Sequence, residues 1–252
     1  MKKCDYIKKE MSCINANNLI YGVIYIPQTE KKKLPTLILS HGYNSSHKDL
    51  QDFAQELAQH EIITYCYDFC GGSTVSKSNG KSTDMSIRTE QEDLKAVIDM
   101  IGALDNVDED KLYLYGESQG GFVSALVATE LQKKIAGLLL LFPAFCIPDD
   151  WNKRNAEDLP DIIDFMGMEI SRKFYDELPQ FDVFEYIGGF QQPVIIFHGD
   201  CDYLVPLSYA QKATASFSNA SLQVFQGEGH GFSPEARQRV LKQICVYFEK
   251  EK

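Results

Sequence analysis

Apolar runs of strand length alternate with amphipathic segments along most of the chain. The runs predict strands at residues 11–14, 19–27, 35–40, 62–67, 112–115, 136–142, 193–197 and 222–225. Between them, apolar side chains at helical spacing predict helices, the clearest of which carries Leu94, Val97 and Ile101. The Gly- and Ser-rich stretch 71–83 predicts an exposed loop. This alternation predicts an α/β fold with a mostly parallel, twisted sheet and helices on both faces.

The alternation fails in one long segment. Residues 144–192 mix aromatic side chains, methionines, acidic residues and prolines without one sustained period. A stretch of this length inside an alternating pattern is typical of an insertion rather than of a simple connection. The sequence therefore predicts an α/β core at residues 1–143 and 193–252, and a cap at residues 144–192 inserted after the sixth strand.

A candidate nucleophile lies where the strand at 112–115 meets a helix. The connecting sequence is Gly116-Glu117-Ser118-Gln119-Gly120. A serine at such a junction is forced into a sharp, strained turn that exposes its hydroxyl, and the glycines leave room for the crowded backbone. The short motif alone also fits a small residue in a tight turn. Its position between a strand and a helix makes Ser118 the predicted nucleophile.

A serine hydroxyl needs a base, and the chain has five histidines. His47 and His60 fall at or near the ends of the first helix, where exposed imidazoles are usual. His41 and His198 each stand at a strand end before a glycine, a position typical of support for loop backbone. His230 follows the last strand between two glycines, in a loop that can bring its ring over the sheet edge. His230 is therefore the predicted general base.

The acid of a Ser-His-acid triad is expected in the loop after the strand at 193–197. That loop contains Asp200 and Asp202. Asp200 is close enough to the strand end to make an Asx-type bond within its own loop. Asp202 lies further along and is predicted to reach His230. The order Ser118, Asp202, His230 is that of α/β-hydrolases, and each residue follows a different predicted strand.

Composition narrows the classes of partner and compartment. The net charge of -11 argues against nucleic acids and anionic membranes, whose phosphates would be repelled. The basic N-terminus lacks an apolar stretch, and the seven cysteines are scattered rather than arranged as a disulfide framework, so a cytoplasmic compartment is predicted. No cluster of His, Cys, Asp or Glu has metal-ligand spacing, and the expected acyl chemistry needs no metal or cofactor.

Four motifs give the chain a resemblance to α/β-hydrolases over nearly its whole length, and within them to the bacterial cinnamoyl (feruloyl) esterase-like group. They are His41-Gly42-Tyr43, Gly116-Glu117-Ser118-Gln119-Gly120-Gly121, His198-Gly199-x-x-Asp202-x-x-Val205-Pro206 and Gly229-His230-Gly231-Phe232. The position of the predicted cap is similar as well. The resemblance implies that the backbone amides of Tyr43 and Gln119 form an oxyanion hole.

The resemblance also implies a substrate site in the cap. Asp149 and Asp150, followed by Trp151, fall where these esterases keep an acidic residue that contacts the phenolic hydroxyl of a hydroxycinnamate. Where the group tends to place a partnering tyrosine, this chain has Ser171, with Tyr175 one helical turn further on. This departure leaves the esterase chemistry intact and leaves feruloyl specificity open. The cap aromatics are expected to divide between the substrate pocket and the core of the cap.

The sequence thus predicts a serine carboxylesterase that forms an acyl-enzyme with small acyl esters, hydroxycinnamoyl esters among them. A peptidase or acyl-thioesterase stays open, because the same triad and oxyanion hole serve any acyl transfer. A ligand-binding sensor with negligible turnover is the alternative outside catalysis, and the complete triad disfavours it. The expected partner is a small-molecule ester, and a homodimer is compatible with the sequence.

Overall fold

The computed structural model describes residues 3–250, which form ten strands and eight α-helices, with two short 3-10 helices at Ser82–Asp84 and Ala156–Asp158. The strands are β1 (Tyr6–Asn15), β2 (Asn18–Pro27), β3 (Leu34–Ser40), β4 (Ile63–Tyr67), β5 (Val107–Glu117), β6 (Gly137–Leu141), β7 (Ile162–Phe165), β8 (Met168–Ser171), β9 (Val194–Gly199) and β10 (Ala220–Phe225). The helices are α1 (His47–Ala58), α2 (Ile87–Gly102), α3 (Gln119–Glu130), α4 (Ile147–Asn152), α5 (Lys173–Asp176), α6 (Val183–Ile187), α7 (Leu207–Ser216) and α8 (Pro234–Lys250).

One eight-stranded sheet has the order β1-β2-β4-β3-β5-β6-β9-β10. β2 pairs antiparallel with both of its neighbours, and the other pairs in the sheet are parallel. The predicted fold class, a mostly parallel sheet within an alternating chain, is confirmed. β1 is longer than the predicted strand at 11–14, because residues 6–10 also pair with β2 at the sheet edge, where their polar side chains face solvent.

Two apolar layers cover the sheet because alternate side chains of a strand point to opposite faces. Leu37 and Leu39 of β3 pack in the layer that contains α1 and α8. Ile38 packs in the other layer, with Val97 of α2 and Phe122 of α3. Within residues 3–250, no helix has the length and apolar character needed to cross a membrane.

The parallel strands bring several loops to one edge of the sheet. β3, β5, β6, β9 and β10 lie side by side, and their carboxyl ends are in register. Gly116 of β5 pairs with Ser40 of β3, and Phe225 of β10 pairs with Gly199 of β9. The loops that follow β3, β5, β9 and β10 therefore meet at this edge, where ligands of open α/β sheets bind.

Residues 144–192, the predicted cap, contain α4, the β7–β8 hairpin, α5 and α6. The hairpin is a separate two-stranded sheet with Met166 and Gly167 at its turn, both at positive φ. Its strands have only four residues each, which is too short for a period to show in the sequence. Trp151 and Phe174 are buried in the same apolar layer as α2 and α3. The division of the chain into core and cap stays a prediction.

The prediction of an exposed loop at 71–83 is wrong for its first residues. Gly72 and Ser73 are buried. Asp68 organises this segment, because its carboxylate accepts a hydrogen bond from the Lys77 amide (2.8 Å) and its carbonyl accepts one from the Ser78 hydroxyl (2.5 Å). Turn-forming composition predicts a loop, but a buried carboxylate can hold such a loop against the core.

Candidate active site

Ser118 occupies the turn between β5 and α3 in a backbone conformation that L-residues rarely adopt. Its φ is 51° and its ψ is -119°. The turn is so tight that a Cβ on Gly120 would lie 2.3 Å from the His41 carbonyl oxygen, and one on Gly116 would lie 2.4 Å from the Gly120 carbonyl oxygen. Only glycine fits at these two positions. The strained turn holds the Ser118 hydroxyl at the carboxyl edge of the sheet.

Three side chains form a continuous hydrogen-bonded chain at this edge. Ser118 Oγ lies 3.0 Å from His230 Nε2, and His230 Nδ1 lies 2.8 Å from Asp202 Oδ2. Because an ionised carboxylate can only accept, Nδ1 carries the proton and Nε2 is left to accept from the serine hydroxyl. The arrangement places a base next to a hydroxyl and an acid that fixes the tautomer of the base.

The Asp202 carboxylate is held by its own loop as well as by His230. Its side chain is buried, and Oδ1 accepts hydrogen bonds from the amides of Leu204 (3.0 Å) and Val205 (2.8 Å). Burial acts to raise the pKa of Asp202, but the hydrogen bonds from His230 and Val205 outweigh it and leave the pKa below its ordinary value. Asp202 is therefore ionised at neutral pH and suited to stabilise an imidazolium at His230.

Asp200 has a different partner. Its Oδ1 accepts a hydrogen bond from the Gly227 amide at 2.7 Å, so it joins its loop to the turn after β10. The prediction of an Asx-type bond within the loop of Asp200 is wrong, because Asp202 makes that bond instead. The predicted contact of Asp202 with His230 is present, so position in the loop separated the two aspartates, although it misplaced the hydrogen bond of Asp200.

Other histidines hold backbone in place. His41 Nε2 accepts a hydrogen bond from the Phe69 amide (3.1 Å), and His198 Nε2 donates one to the Val205 carbonyl (2.8 Å). Burial lowers the pKa of both imidazoles, so both are neutral. The expectation of an exposed His47 is wrong. Its ring is buried, and its Nδ1 lies 2.8 Å from Oδ1 of Asp68, the residue that also binds the 71–83 segment.

The ring of Phe142 lies against the His230 imidazole, with ring centroids 4.6 Å apart. Phe142 follows β6, and its φ is 38°, which is again unusual for an L-residue. The contact restricts where the imidazole can lie. Sequence reasoning missed this residue, because it ends an apolar strand and carries no signal that separates it from an ordinary core phenylalanine.

The predicted oxyanion donors lie on two sides of Ser118. Gln119 is the first residue of α3, so its amide has no partner within the helix. Tyr43 follows Gly42, and a Cβ on Gly42 would lie 3.2 Å from Ser118 Cβ, which shows how closely this turn approaches the serine. Tyr43 and Gln119 both border the cavity beside Ser118. Their role as oxyanion donors stays a prediction.

A largely buried ion pair lies next to the serine turn. Arg237 of α8 donates to both carboxylate oxygens of Glu117 (3.1 and 2.5 Å), and the Tyr115 hydroxyl donates to Glu117 as well (2.7 Å). Burial acts against the charge of Arg237, but Glu117 outweighs it and raises the pKa of the guanidinium. The pair joins the residue before Ser118 to the helix that follows the His230 loop.

Arg237→Met is expected to lower the free energy of unfolding by about 3 kcal/mol, because loss of one partner leaves a buried carboxylate unpaired. Urea denaturation measures this change. The double variant Glu117→Gln/Arg237→Met removes both charges and serves as the control. It should be more stable than Arg237→Met, and a double variant that is less stable would show that the unpaired charge is not the cause of the loss.

A cavity of about 270 Å³ opens beside Ser118. Most side chains that line it are apolar or aromatic, namely Phe142, Ala144, Ile147, Trp151, Phe165, Met166, Phe174, Leu204 and Val205. Trp151 packs between Phe165 and Phe174, at ring-centroid distances of 5.2 and 5.1 Å. The Tyr43 hydroxyl donates to the Phe165 carbonyl at 2.8 Å and so connects the hairpin to the core. Such a cavity suits an apolar or aromatic group next to a nucleophile.

The residues predicted to bind substrate in the cap are Asp149, Asp150, Trp151, Ser171 and Tyr175. Asp150 and Trp151 line the cavity, and the other three do not. The Asp149 carboxylate accepts a hydrogen bond from the Tyr209 hydroxyl (2.8 Å), and the Ser171 hydroxyl donates to the Thr83 carbonyl (2.6 Å). Tyr175 packs against the apolar layer. The structure therefore brings two of the five to the serine and places three elsewhere.

The seven cysteines are all free thiols, and Cys146 lines the cavity. Burial raises the pKa of the Cys146 thiol to about 12, so it stays protonated and is a poor nucleophile. Among residues 3–250, no three His, Cys, Asp or Glu side chains are grouped so that they could hold a metal ion.

The sheet order, the alternation of strands and helices, and the strained serine turn after β5 define an α/β-hydrolase. Comparison with known proteins then narrows the class. The chain belongs to the family described as serine aminopeptidase, S33, whose sequence model matches residues 31–178, more than half of the chain. The matched region includes Tyr43, Ser118 and Gln119 and ends before Asp202 and His230.

Solved structures agree with this fold. Est1E from Butyrivibrio proteoclasticus, with ferulic acid bound, has a TM-score of 0.87 at 23% identity, covering 95% of this chain and 98% of that one. The α/β-hydrolase GrgF from Penicillium sp. sh18 has a TM-score of 0.71 at 17% identity, covering 96% of this chain and 99% of that one. The resemblance that the four motifs indicate is confirmed at the level of the fold.

A curated relative has a higher identity over a shorter stretch. The protein named "Putative carbamate hydrolase RutD" from Caulobacter sp. (strain K31) is 32% identical over 110 residues. The match covers 40% of this chain and 41% of that relative, so the chain spans less than half of the length of the relative. Together with the family match, it supports a hydrolase.

Proposed function

We propose that the protein is a serine carboxylesterase that hydrolyses small acyl esters, with Ser118 as nucleophile, His230 as general base and Asp202 as the acid that orients it. The observation that carries this proposal is the hydrogen-bonded chain from Asp202 through His230 to Ser118 beside an apolar cavity. A hydroxyl, a base and an acid in this order are what acyl transfer through a covalent intermediate requires.

In the proposed reaction, Ser118 Oγ attacks the ester carbonyl carbon while His230 Nε2 takes the hydroxyl proton. The carbonyl oxygen becomes negative and binds the amides of Tyr43 and Gln119. Loss of one oxyanion donor costs about 2.7–4 kcal/mol of transition-state stabilisation in a serine protease. The imidazolium, stabilised by Asp202, then protonates the leaving alcohol, and the acyl group stays on Ser118. A water molecule that gives its proton to His230 hydrolyses this acyl-enzyme and regenerates the serine.

The cavity supports small acyl groups, including aromatic ones. The rings of Trp151, Phe165 and Phe174 offer edge-to-face contacts to an aromatic acyl group. Asp150, at the same cavity, can accept a hydrogen bond from a phenolic hydroxyl. Hydroxycinnamoyl esters are therefore candidate substrates, and the ferulic acid bound to Est1E is of the same chemical class. In this proposal residues 144–192 form the cap that covers the acyl group.

A substrate panel tests the proposal. A fluorophosphonate probe should label Ser118, and turnover of p-nitrophenyl acetate and a 4-hydroxycinnamate ester should exceed that of an acyl thioester, an aminoacyl amide and a carbamate. Preference for the aminoacyl amide would favour the peptidase in the family's description, and preference for the carbamate would favour the activity in the relative's name. If the probe does not label the folded protein, the proposal of a serine hydrolase is wrong, and a ligand-binding protein is favoured.

Asp150→Ala is expected to lower kcat/KM for a 4-hydroxycinnamate ester by about fivefold. The Asp150 side chain is half exposed and pairs with Lys153 at 2.8 Å, so the lost hydrogen bond to the phenol is worth about 1 kcal/mol. A short aliphatic ester has no phenol and should be almost unaffected. Steady-state kinetics with both esters measures the difference. Asp149→Ala is the matched control, since that carboxylate binds Tyr209 outside the cavity. Equal losses on the two esters would mean that Asp150 supports the cap rather than the phenol.

A further inference from the structure

Glu90 is a buried acidic residue next to the candidate oxyanion hole, and the reaction proposed above does not use it. It lies in the first turn of α2, with a relative exposure of 1%. Its Oε2 accepts a hydrogen bond from Gln119 Nε2 at 2.9 Å. Gln119 is itself buried, and its backbone amide is one of the two expected oxyanion donors. The carboxyl group of Glu90 therefore holds the side chain of the residue whose backbone is expected to bind the oxyanion.

The same carboxyl group lies close to the turn that carries the other donor. A Cβ on Gly72 would lie 3.4 Å from Glu90 Oε1 and 3.4 Å from His41 Cε1, so both side chains lie next to this glycine. The Gly72 carbonyl accepts a hydrogen bond from the Asn44 amide at 3.1 Å. Because Asn44 follows Tyr43, Glu90 lies beside the glycine whose carbonyl binds the backbone next to Tyr43.

The surroundings of Glu90 favour its neutral form. Burial raises the pKa of Glu90 to about 8. The nearby Asp93 carboxylate also raises it, and the hydrogen bond from Gln119 lowers it. Asp93 lies on the same helix, and burial raises its pKa as well. Its two oxygens accept hydrogen bonds from the Asn15 side chain and the Cys70 amide, so Asp93 is occupied by partners other than Glu90.

Titratable groups on the neighbouring elements are neutral as well. Burial raises the pKa of the Tyr67 hydroxyl on β4 and of the Tyr43 hydroxyl after β3. Burial lowers the pKa of His41, whose ring lies next to Gly72 as the Glu90 carboxyl group does. These groups offer Glu90 no positive charge that would stabilise a carboxylate.

We propose that Glu90 is a positioning residue for the oxyanion hole and that it acts in its neutral form. A neutral carboxyl group supports Gln119 and the turn of Tyr43 without placing a negative charge near the oxyanion. An ionised Glu90 would repel the developing oxyanion and raise the barrier to acyl transfer, and its burial would leave this repulsion weakly screened. This inference rests on the proposed serine esterase function.

Glu90→Gln separates shape from charge, because the glutamine oxygen can still accept the hydrogen bond from Gln119 at every pH. The test is kcat/KM for p-nitrophenyl acetate between pH 6 and pH 9. The wild-type value should fall about fivefold as the pH rises from the pKa of Glu90, about 8, to one unit above it, because the neutral fraction falls from about one half to about one tenth. Glu90→Gln should match the wild type at pH 7 within about threefold and should not show this decline. An unchanged decline in Glu90→Gln would overturn the proposal.

Glu90→Ala tests the positioning role. It leaves the Gln119 side chain without its partner, so kcat should fall about tenfold or more at pH 7 with little change in KM, because oxyanion binding acts in the transition state. The Glu90→Gln variant, which keeps the acceptor for Gln119, should have a kcat close to that of the wild type. A Glu90→Ala variant with wild-type kcat, or one in which only KM rises, would overturn the positioning role of Glu90.

Thermal unfolding gives a readout that does not depend on the reaction. The Glu90 carboxyl loses its proton near its ordinary value of 4.5 in the unfolded chain and near about 8 in the folded protein, so the wild type loses stability as the pH rises between these values. The Tm of Glu90→Gln relative to wild type should therefore be higher at pH 8 than at pH 5. If the Tm difference between Glu90→Gln and the wild type is the same at pH 5 and pH 8, the proposal that Glu90 is neutral in the folded protein is wrong.

Carbon NMR of wild-type protein labelled at glutamate Cδ covers the case in which the variants do not fold. One resonance should titrate near pH 8, and titration of every glutamate below pH 6 would overturn the proposal. The two proposals fail in different ways. A wild type without ester hydrolysis overturns the esterase and the role of Glu90 with it, whereas an active wild type with an unchanged decline in Glu90→Gln overturns the role of Glu90 alone.

Discussion

Ser118→Ala is expected to abolish ester hydrolysis and to leave the fold intact. Removal of the triad serine from a well-studied protease lowers kcat by about 10⁶, and a loss of similar size is expected here. The substitution removes one oxygen atom from a turn whose backbone is fixed by the tight contacts at Gly116 and Gly120, so Tm should change little. Initial rates with p-nitrophenyl acetate and a circular dichroism melt measure the two quantities. Activity within tenfold of wild type would exclude Ser118 as the nucleophile.

His230→Ala provides the comparison for this result. Ser118 and His230 are joined by a hydrogen bond and are proposed to act as one unit, so the double variant should be little worse than either single variant. Losses that multiply would show instead that the two residues act independently.

Asp202→Asn is expected to lower kcat by about 10⁴ while the protein remains folded. The asparagine oxygen can replace Oδ1 and accept from the amides of Leu204 and Val205. Its NH₂ group then faces His230 Nδ1, which must accept, so the imidazole proton moves to Nε2. An imidazole with its proton on Nε2 cannot take the proton of Ser118. Steady-state kinetics measures the loss, and a circular dichroism melt checks the fold.

Asp200→Asn is the matched control, two positions away in the same loop. Asp200 accepts a hydrogen bond from the Gly227 amide, and an asparagine oxygen can do the same. Turnover should stay within about threefold of wild type, and the unfolding free energy within about 1 kcal/mol. If Asp200→Asn were inactive and Asp202→Asn fully active, the acid of the triad would be assigned wrongly, although Ser118 and His230 could keep their roles.

The fold class and the serine turn could be predicted from the sequence because their signals are local. Apolar runs of strand length end at fixed points, and parallel strands bring these ends to one edge. The turn at Ser118 requires glycine at positions 116 and 120, where a Cβ would overlap backbone atoms. Such steric demands leave a mark within a few residues of the sequence.

Contacts between residues that are far apart in the sequence left no local sequence signal. His47 is buried because it meets Asp68, and Glu90 is buried against Gln119. Glutamate is usually exposed and histidine is intermediate, and the tertiary partner makes the burial of each tolerable. The short β7–β8 hairpin escapes prediction for another reason, since four residues are too few to define an alternation. Its residues Phe165 and Met166 nevertheless form part of the cavity wall.

The proposed nucleophile and base follow two strands that differ in how many neighbours they have in the sheet. The serine follows β5, in the interior of the sheet, whereas His230 follows β10, which is an edge strand. β10 has a hydrogen-bonded neighbour on one side only, and Val224 on it is 44% exposed. Edge strands open at lower free energy than central ones. Fraying of β10 would thus separate base from nucleophile while the central sheet stays folded, and thermal inactivation would precede denaturation. The ion pair of Arg237 with Glu117 opposes this separation, because it fastens the segment beyond β10 to the centre of the sheet.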